Sequence, residues 1–311
     1  MNILILTPDG VGSTILQRLL TMTLHLESVK VVNTHELTNG LILKNGVVSK
    51  DFGAKYSQKL QEIIELIKQS DKNTQIVSRL AKYHLDARQD NIQSQKKFFN
   101  FLNSFYEKKI MCIRNNIFEY ALSWSMRERS GVVNVYDRKD KRSVMEVSEI
   151  DEEYFLKKCN EYVNYVYWIQ DNFPNVEQIS YEDMCANSDY IIEKITGYKD
   201  TFKKNFNVNL SLILKMEYDF FNLLITDNNK EFSYTKEEKK ALILYKRLAK
   251  TLIKKEVIIS HPIKNTTLED KKKQIKNFDR CLNKFYSFAK NHNWIDQSIA
   301  KYDFWNDRNI C

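Results

Sequence analysis

The chain begins with a strand-length apolar run that leads directly into a helix-like pattern. Residues 3–6 are Ile-Leu-Ile-Leu, and the turn after them holds Gly10 and Gly12, two of only seven glycines. Ser13 and Thr14 then open a segment whose apolar residues recur at helical spacing. A buried strand, a tight turn and a helix form the repeating unit of parallel α/β sheets. The backbone N–H groups at such a helix start favour a bound phosphate or sulfate group.

Strand-length apolar segments alternate with helical ones along the first two thirds of the chain. The predicted strands are residues 3–6, 29–33, 75–78, 109–113 and 176–180, and the predicted helices include 14–26, 56–69, 98–106, 116–129, 151–170 and 182–196. This alternation predicts an α/β fold, a three-layer α/β/α sandwich with a mainly parallel central sheet. The charged stretch between residues 132–136 and 144–147 is typical of a two-stranded hairpin.

After about Gly197 the strand pattern stops, and helical spacing covers residues 210–224, 235–254 and 267–291. We therefore expect an α/β core over residues 1–200 and a helical C-terminal extension over residues 201–311, packed on the core as one domain. The Lys271-Lys272-Lys273 run in the last predicted helix indicates a solvated helix face.

The charge balance narrows the choice of partners. The chain has 48 Lys and Arg against 40 Asp and Glu, a formal net charge of +8. This is typical of a solvated lysine-rich surface, and it also suits anionic ligands such as phosphates, nucleotides or acidic glycans. The basic residues are spread along the chain without an aromatic RNA-binding signature, so nucleic acid is not expected as a partner.

Cysteine usage and the N-terminus indicate the compartment. The five cysteines are Cys112, Cys159, Cys185, Cys281 and Cys311. They form no Cys-x-x-Cys pair, which argues against a zinc site or a disulfide framework. No basic region precedes the short N-terminal apolar run, unlike in a signal peptide, and no segment approaches the roughly 18 apolar residues of a membrane span. We expect reduced, mostly buried thiols and a cytoplasmic protein.

A second candidate anion site follows the predicted strand 109–113. Arg114 comes directly after this strand, and Ser123 lies on the second turn of the next predicted helix. A guanidinium offers a charged fork and a serine a hydroxyl, so the two can bind one phosphate. Together with the N-terminal turn they indicate a ligand with two separate phosphates. No lysine follows Gly12, which disfavours the Gly-x-x-x-x-Gly-Lys-Ser/Thr loop of nucleotide-dependent kinases.

At these residues the chain resembles the sulfotransferases that use 3′-phosphoadenosine 5′-phosphosulfate (PAPS). Residues 7–20 are similar to the family's 5′-phosphosulfate loop, a Pro-x-x-Gly-Ser/Thr-Thr turn before a Leu- and Gln-rich helix. Residues 112–124 are similar to its 3′-phosphate element, which has an Arg-Asn start and a Ser at the far end. Residues 179–184, Ile-Ser-Tyr-Glu-Asp-Met, are similar to a family strand that closes on Tyr-Glu-Asp-Leu. The three segments occur in the family's order.

The resemblance implies a PAPS-dependent sulfotransferase of the P-loop-like fold, with PAPS as co-substrate and no metal. The sulfuryl group would go to a hydroxyl or amine of a small-molecule or glycan acceptor. The residues implied for co-substrate binding are Asp9, Gly10, Val11, Gly12, Ser13, Thr14, Arg114 and Ser123.

The turn departs from the family pattern at one position that matters for the chemistry. The family has Lys or Arg directly after the proline, where it stabilises the bridging oxygen of the breaking bond, and this chain has Asp9. Sulfuryl transfer needs a cation there because negative charge develops on the leaving group. We expect Arg79 to replace it, with Lys82 and Arg18 as alternatives.

The transfer also needs a base for the acceptor proton. The resemblance implies a catalytic histidine after the third strand, and His84 follows the predicted strand 75–78. There it should reach the crevice at the carboxyl ends of the strands, and an imidazole suits proton transfer near neutral pH. His35 and Glu36, after the second predicted strand, are the alternative, since some family members use a carboxylate there.

Two other classes of function fit the same pattern. A nucleotide-dependent kinase or a glycosyltransferase can use a related α/β sheet, although no lysine follows Gly12. A non-catalytic nucleotide-, anion- or glycan-binding protein would keep the fold without the chemistry, and Asp9 in place of a cation favours it.

Overall fold

A computed structural model describes residues 1–8, 10–34, 37, 56–81, 91–132, 143–144, 146–226, 232–255, 257–258 and 268–292. Of residues 220–226 and 268–270 only the backbone is described.

The core is a five-stranded, fully parallel sheet. Its strands are β1 (Ile3–Thr7), β2 (Val31–Asn33), β3 (Gln75–Ala81), β4 (Lys108–Ile113) and β5 (Glu177–Ser180), in the order β2-β3-β1-β4-β5. All five side chains of β1 are buried, because this strand is central and helices cover both faces of a parallel sheet. The carboxyl ends of the strands therefore meet at one edge, where α/β folds bind ligands.

The described residues form twelve helices in chain order. They are α1 (Ser13–Leu26), α2 (Tyr56–Gln69), α3 (Ile92–Phe105), α4 (Ile117–Ser130), α5 (Glu152–Asn172), α6 (Tyr181–Ala186), α7 (Ser188–Thr196), α8 (Thr201–Phe206), α9 (Leu210–Thr226), α10 (Lys236–Lys254), α11 (Leu268–Gln274) and α12 (Phe278–Ala289). Helices α2 and α3 pack together, and α1 packs against α7 and the sheet. The three-layer α/β/α sandwich, the parallel sheet and the helical C-terminal part are confirmed.

The chain divides into two compact units that interleave along the sequence. The first comprises residues 1–113, 166–214 and 233–260, and the second comprises residues 114–165, 215–232 and 261–311. The core of the first combines the sheet with an aromatic cluster in which Phe99 contacts Tyr56, Trp168 and Phe173. In the second, buried Phe118 is surrounded by other rings, those of Phe155, Phe278 and Phe285. The boundary at residue 200 stays a prediction.

The predicted hairpin is wrong at its second strand. Ser143 and Val144 are helical, and the backbone N–H of Val147 donates to the carbonyl of Val144 at 3.3 Å, as in a turn. Most of the first predicted strand lies outside the described residues. Gln274 accounts for the conformation, because its side-chain amide donates to the carbonyls of both Val144 and Val147.

Two helices predicted as continuous are each broken in two. The segment 182–196 breaks at Asn187, which ends α6 and begins α7. The segment 267–291 breaks between α11 and α12, where the backbone N–H of Lys276 donates to the Ser148 carbonyl at 2.8 Å. The side chain of Asn277 bonds both backbone groups of Ile150, at 3.2 and 2.9 Å. Pairing with a distant segment here replaces the helical hydrogen bonds.

Among the described residues, no helix is long and apolar enough to cross a membrane. Cys112, Cys159 and Cys281 are buried thiols, as expected, and Cys311 lies outside the described residues.

Candidate functional site

The turn after β1 ends in an uncapped helix start. Gly12 is the N-cap of α1, which has no side-chain cap and no acidic residue in its first turn. The N–H groups of Ile15 and Leu16 donate to the Gly12 carbonyl at 2.9 and 3.1 Å. Within the described part of the chain, nothing accepts from the N–H groups of Ser13 and Thr14. These donors, at the positive end of the helix dipole, are suited to an anion.

Gly12 is required at this turn for two reasons. Its φ of 79° lies in the left-handed region that side chains disfavour. A Cβ placed on Gly12 would also lie 2.8 Å from Cε2 of Tyr181 and 3.2 Å from Cε of Met184. Tyr181 opens α6, directly after β5. The segment 179–184 thus packs against the turn and fixes its backbone.

Arg79 is brought to the hydroxyls of the helix start. It lies in β3 opposite Ile5 of β1 and is only 8% exposed. One of its terminal nitrogens, Nη1, donates to Oγ1 of Thr14 and lies 3.5 Å from Oγ of Ser13. A guanidinium here adds to the positive end of the α1 dipole, so the local field favours an anion.

The turn is also bound by a buried thiol from β4. Sγ of Cys112 donates to the Val11 carbonyl at 3.4 Å. Burial raises the pKa of Cys112 to about 12, mainly by desolvation and further through the charge of Glu182. Cys112 therefore stays protonated as a donor and a packing group, and it is not a nucleophile.

Of the three cations suggested for the missing loop lysine, the structure brings Arg79 to the helix start. Arg18 is directed elsewhere: its Nη2 donates to the hydroxyl of Tyr245 in α10 at 2.7 Å, and its guanidinium lies 5.7 Å from that ring centre. Lys82 is outside the described residues.

In the second unit, Arg114 and Ser123 join a buried charge cluster. Nη2 of Arg114 lies 2.9 Å from Oε2 of Glu119, and Nζ of Lys271 lies 2.9 Å from Oε1 of the same carboxylate. Nζ of Lys271 also donates to Oγ of Ser123 at 2.8 Å. Glu119 thus bridges two cations, and the three charged groups together carry +1. We call Arg114, Glu119, Ser123 and Lys271 the α4 cluster.

The backbone around Arg114 is fixed by Tyr162. The N–H of Arg114 donates to the Tyr162 hydroxyl at 2.7 Å, and this hydroxyl donates to the Arg114 carbonyl at 2.8 Å. Asn116 caps α4 by accepting from the N–H of Glu119 at 2.8 Å. These contacts set the direction in which the Arg114 side chain leaves the main chain.

The prediction of a solvated face at Lys271–Lys273 is wrong for Lys271, which is 3% exposed. Sequence reasoning missed Lys271, Glu119 and Tyr162 as members of the site. Glu119 had a usable signal, because it lies four residues before Ser123 and therefore on the same helix face. Lys271 had none, since 148 residues separate it from Ser123.

Several predicted site residues lie outside the described residues: Asp9, His35, Glu36, Lys82 and His84. Their roles stay predictions. Within the described ranges, no group of three or more His, Cys, Asp or Glu side chains could hold a metal ion.

No family model matches the chain, and no curated protein matches it. Among solved structures, the crystal structure of retinol dehydratase in a complex with retinol and PAP is similar, with a TM-score of 0.34 and 14% sequence identity. The alignment covers 97% of this chain and 82% of that chain. A TM-score of this size assigns neither a fold nor a function to this chain.

Replacing Gly12 by Ala should destabilise the first unit more than the same change at Gly197. The backbone φ is 79° at Gly12 and 77° at Gly197. A Cβ added at Gly12 would contact Tyr181, whereas one added at Gly197 would have no described atom within 4 Å. The left-handed backbone costs about 1 kcal/mol in each variant. The contact with Tyr181 adds roughly 1–3 kcal/mol in Gly12→Ala alone. Guanidinium unfolding measures both, and equal losses would contradict the close packing.

Replacing Glu119 by Gln should lower the free energy of unfolding by about 3 kcal/mol, because two buried cations lose their shared counter-charge. Glu128→Gln on the same helix is the matched control, since Glu128 is exposed and its carboxylate, among the described residues, accepts only from the Tyr154 hydroxyl, at 3.3 Å. Chemical denaturation compares the two variants. A loss no larger in Glu119→Gln than in the control would show that the cluster does not need its carboxylate.

Proposed function

We propose that this protein is a sulfotransferase that moves the sulfuryl group of PAPS to a hydroxyl or amine of a small-molecule or glycan acceptor. The observation that carries the proposal is the contact of Arg79 with Ser13 and Thr14. The loop resembles the family's 5′-phosphosulfate loop but lacks its cation, which Asp9 replaces. Arg79 supplies a cation to the same helix start from the neighbouring strand.

The chemistry assigns a separate task to each group. The acceptor oxygen or nitrogen attacks sulfur and loses its proton to a base, while the bond from sulfur to the bridging oxygen breaks. Adenosine 3′,5′-bisphosphate leaves with the electron pair of that bond. Arg79 and the N–H groups of Ser13 and Thr14 then stabilise the negative charge that develops on the leaving phosphate. Because these groups are held before the reaction begins, they reorganise little during it.

We assign the 3′-phosphate to the α4 cluster. Arg114 and Ser123 match the family's 3′-phosphate element in sequence, and Lys271 adds a second cation to the same group of side chains. A phosphate dianion complements two cations better than the single carboxylate of Glu119 does. A bound phosphate would therefore contact Arg114 and Lys271 while both still contact Glu119.

His84 is the proposed base, with Glu36 and His35 as the alternative. The carboxyl ends of β2 and β3 are neighbours in the sheet, so both candidate positions follow strands that end at the ligand-binding edge. We place the reaction in the cytoplasm, with no metal.

A non-catalytic nucleotide- or glycan-binding protein is the second candidate, because Asp9 stands where the resembling family has its catalytic cation. This candidate shares the nucleotide-binding residues but predicts no turnover of PAPS.

Calorimetry with adenosine 3′,5′-bisphosphate tests the binding site. We expect micromolar binding by the native chain, and a loss of roughly 30-fold in Arg114→Ala, since a charged hydrogen bond contributes about 1.5–3 kcal/mol. Arg129→Ala is the control, because Arg129 is exposed on the same helix and its loss should leave the affinity unchanged. Absence of binding by the native chain would overturn the proposed function.

A transfer assay with labelled PAPS tests the role of Arg79. In Arg79→Met the turnover number should fall by roughly 10²–10³, as when a transition-state donor is removed, with a much smaller change in bisphosphate affinity. Lys97→Met, at an exposed lysine of the same unit, should retain full turnover. If Arg79→Met weakens binding and turnover equally, Arg79 only holds the loop. Binding without turnover in the native chain favours the second candidate.

A further inference from the structure

One exposed face of α10 is strongly basic. Successive residues of a helix are rotated by about 100°, which places Lys236, Lys240, Arg247, Lys250 and Lys254 within an arc of about 80°. All five are exposed. The buried residues of the helix lie on the opposite side: Ala241, Leu242, Tyr245, Ala249 and Leu252. The five cations therefore form a straight row, about 27 Å long, which we call the α10 stripe.

The cations of the stripe form no ion pair with the described part of the chain. Helix α10 contains seven Lys and Arg against two Glu, a net charge of +5 out of +8 for the whole chain. Among the residues that the structure describes, no carboxylate lies within ion-pair distance of a side chain of the stripe. The two carboxylates lie at the first turn, where Glu238 forms a capping box with Thr235. The remaining length of the helix is uniformly positive.

Two aliphatic side chains are exposed at the middle of this helix, one within the row and one beside it. Ile243 is 51% exposed and lies inside the arc of the stripe, and Leu244 is 38% exposed and lies about 40° outside it. The opposite side of α10 is anchored through Tyr245, which contacts Arg18 of α1 and the rings of Phe202 and Phe206 of α8. The stripe is therefore held on a rigid element and is not part of a mobile tail.

We propose that the α10 stripe docks on a bilayer surface that contains anionic lipids. A straight row of cations on a rigid helix can meet a plane of headgroups along its whole length. Each Lys or Arg near such a surface strengthens binding about five-fold, equivalent to about 1 kcal/mol. Ile243, between the cations, and Leu244, beside them, would enter the headgroup boundary, as the apolar residues of interfacial helices do.

The exposed aliphatic residues favour a bilayer over a soluble polyanion. A linear acidic glycan or a nucleic acid would complement the row of charges equally well, but it offers no apolar layer for Ile243 and Leu244. The inference does not depend on the proposed function, because it uses neither the helix start of α1 nor the α4 cluster.

Co-sedimentation of the full chain with vesicles tests the proposal. We expect binding to vesicles of phosphatidylcholine with phosphatidylserine, weak binding to phosphatidylcholine alone, and a decrease as salt is raised. The double variant Lys240→Gln, Arg247→Gln should bind about 25-fold less tightly, from two cations at about five-fold each. Lys96→Gln, Lys97→Gln is the matched control, because these exposed lysines of α3 carry the same charge in the same unit.

A third variant, Ile243→Ser, separates the apolar contribution from the charge. It should lower vesicle binding while leaving the salt dependence unchanged. Since the substituted side chains are exposed, all variants should keep the native thermal unfolding temperature. The proposal is overturned if anionic vesicles do not bind, if both double variants lose affinity equally, or if heparin binds the stripe while vesicles do not.

Discussion

The parallel pairing of β1 with β3 places a cation at the helix start of α1. In the observed register Ile5 lies opposite Arg79, and this puts the Arg79 side chain within reach of Ser13 and Thr14. A shift of one residue would turn Arg79 to the other face of the sheet, because side chains alternate along a strand. The buried apolar residues of both strands prevent that shift. The burial of apolar side chains in β1 and β3 therefore sets the position of the Arg79 guanidinium.

The α4 cluster and Arg79 at the start of α1, which we assign to phosphates, differ in how their buried charges are stabilised. In the α4 cluster Glu119 neutralises one of two cations, so the group is stable without a ligand and retains a charge of +1. At the start of α1, Arg79 contacts the hydroxyls of Ser13 and Thr14, and the helix dipole adds to its positive field.

The sequence predicts what depends on local pattern and misses what depends on distant contacts. All five strands and the helix start of α1 follow from apolar periodicity and the glycines of the turn. The break before α12 could not be predicted, because Asn277 pairs with Ile150, 127 residues away. The solvated face predicted at Lys271 is wrong for the same reason, since its partner Glu119 is distant in sequence. A run of lysines has the same local pattern whether or not a carboxylate lies next to it in the folded protein. The sequence predicts that Arg79 approaches from the loop that carries His84, whereas the structure places it inside β3, which continues to Ala81.

The anchoring of α10 links the basic stripe to the anion loop within one unit. Tyr245 and Arg18 join α10 to α1 through a buried hydrogen bond of 2.7 Å, and the N-terminus of α1 is the loop itself. A helix bound to a bilayer through the stripe would hold α1 in a fixed direction relative to that surface. An acceptor dissolved in the bilayer would then meet the sulfuryl donor in a restricted set of orientations, and restricted orientation lowers the entropic part of a transfer barrier. The α10 stripe would in that case set the orientation of the helix start at which we propose that the donor binds.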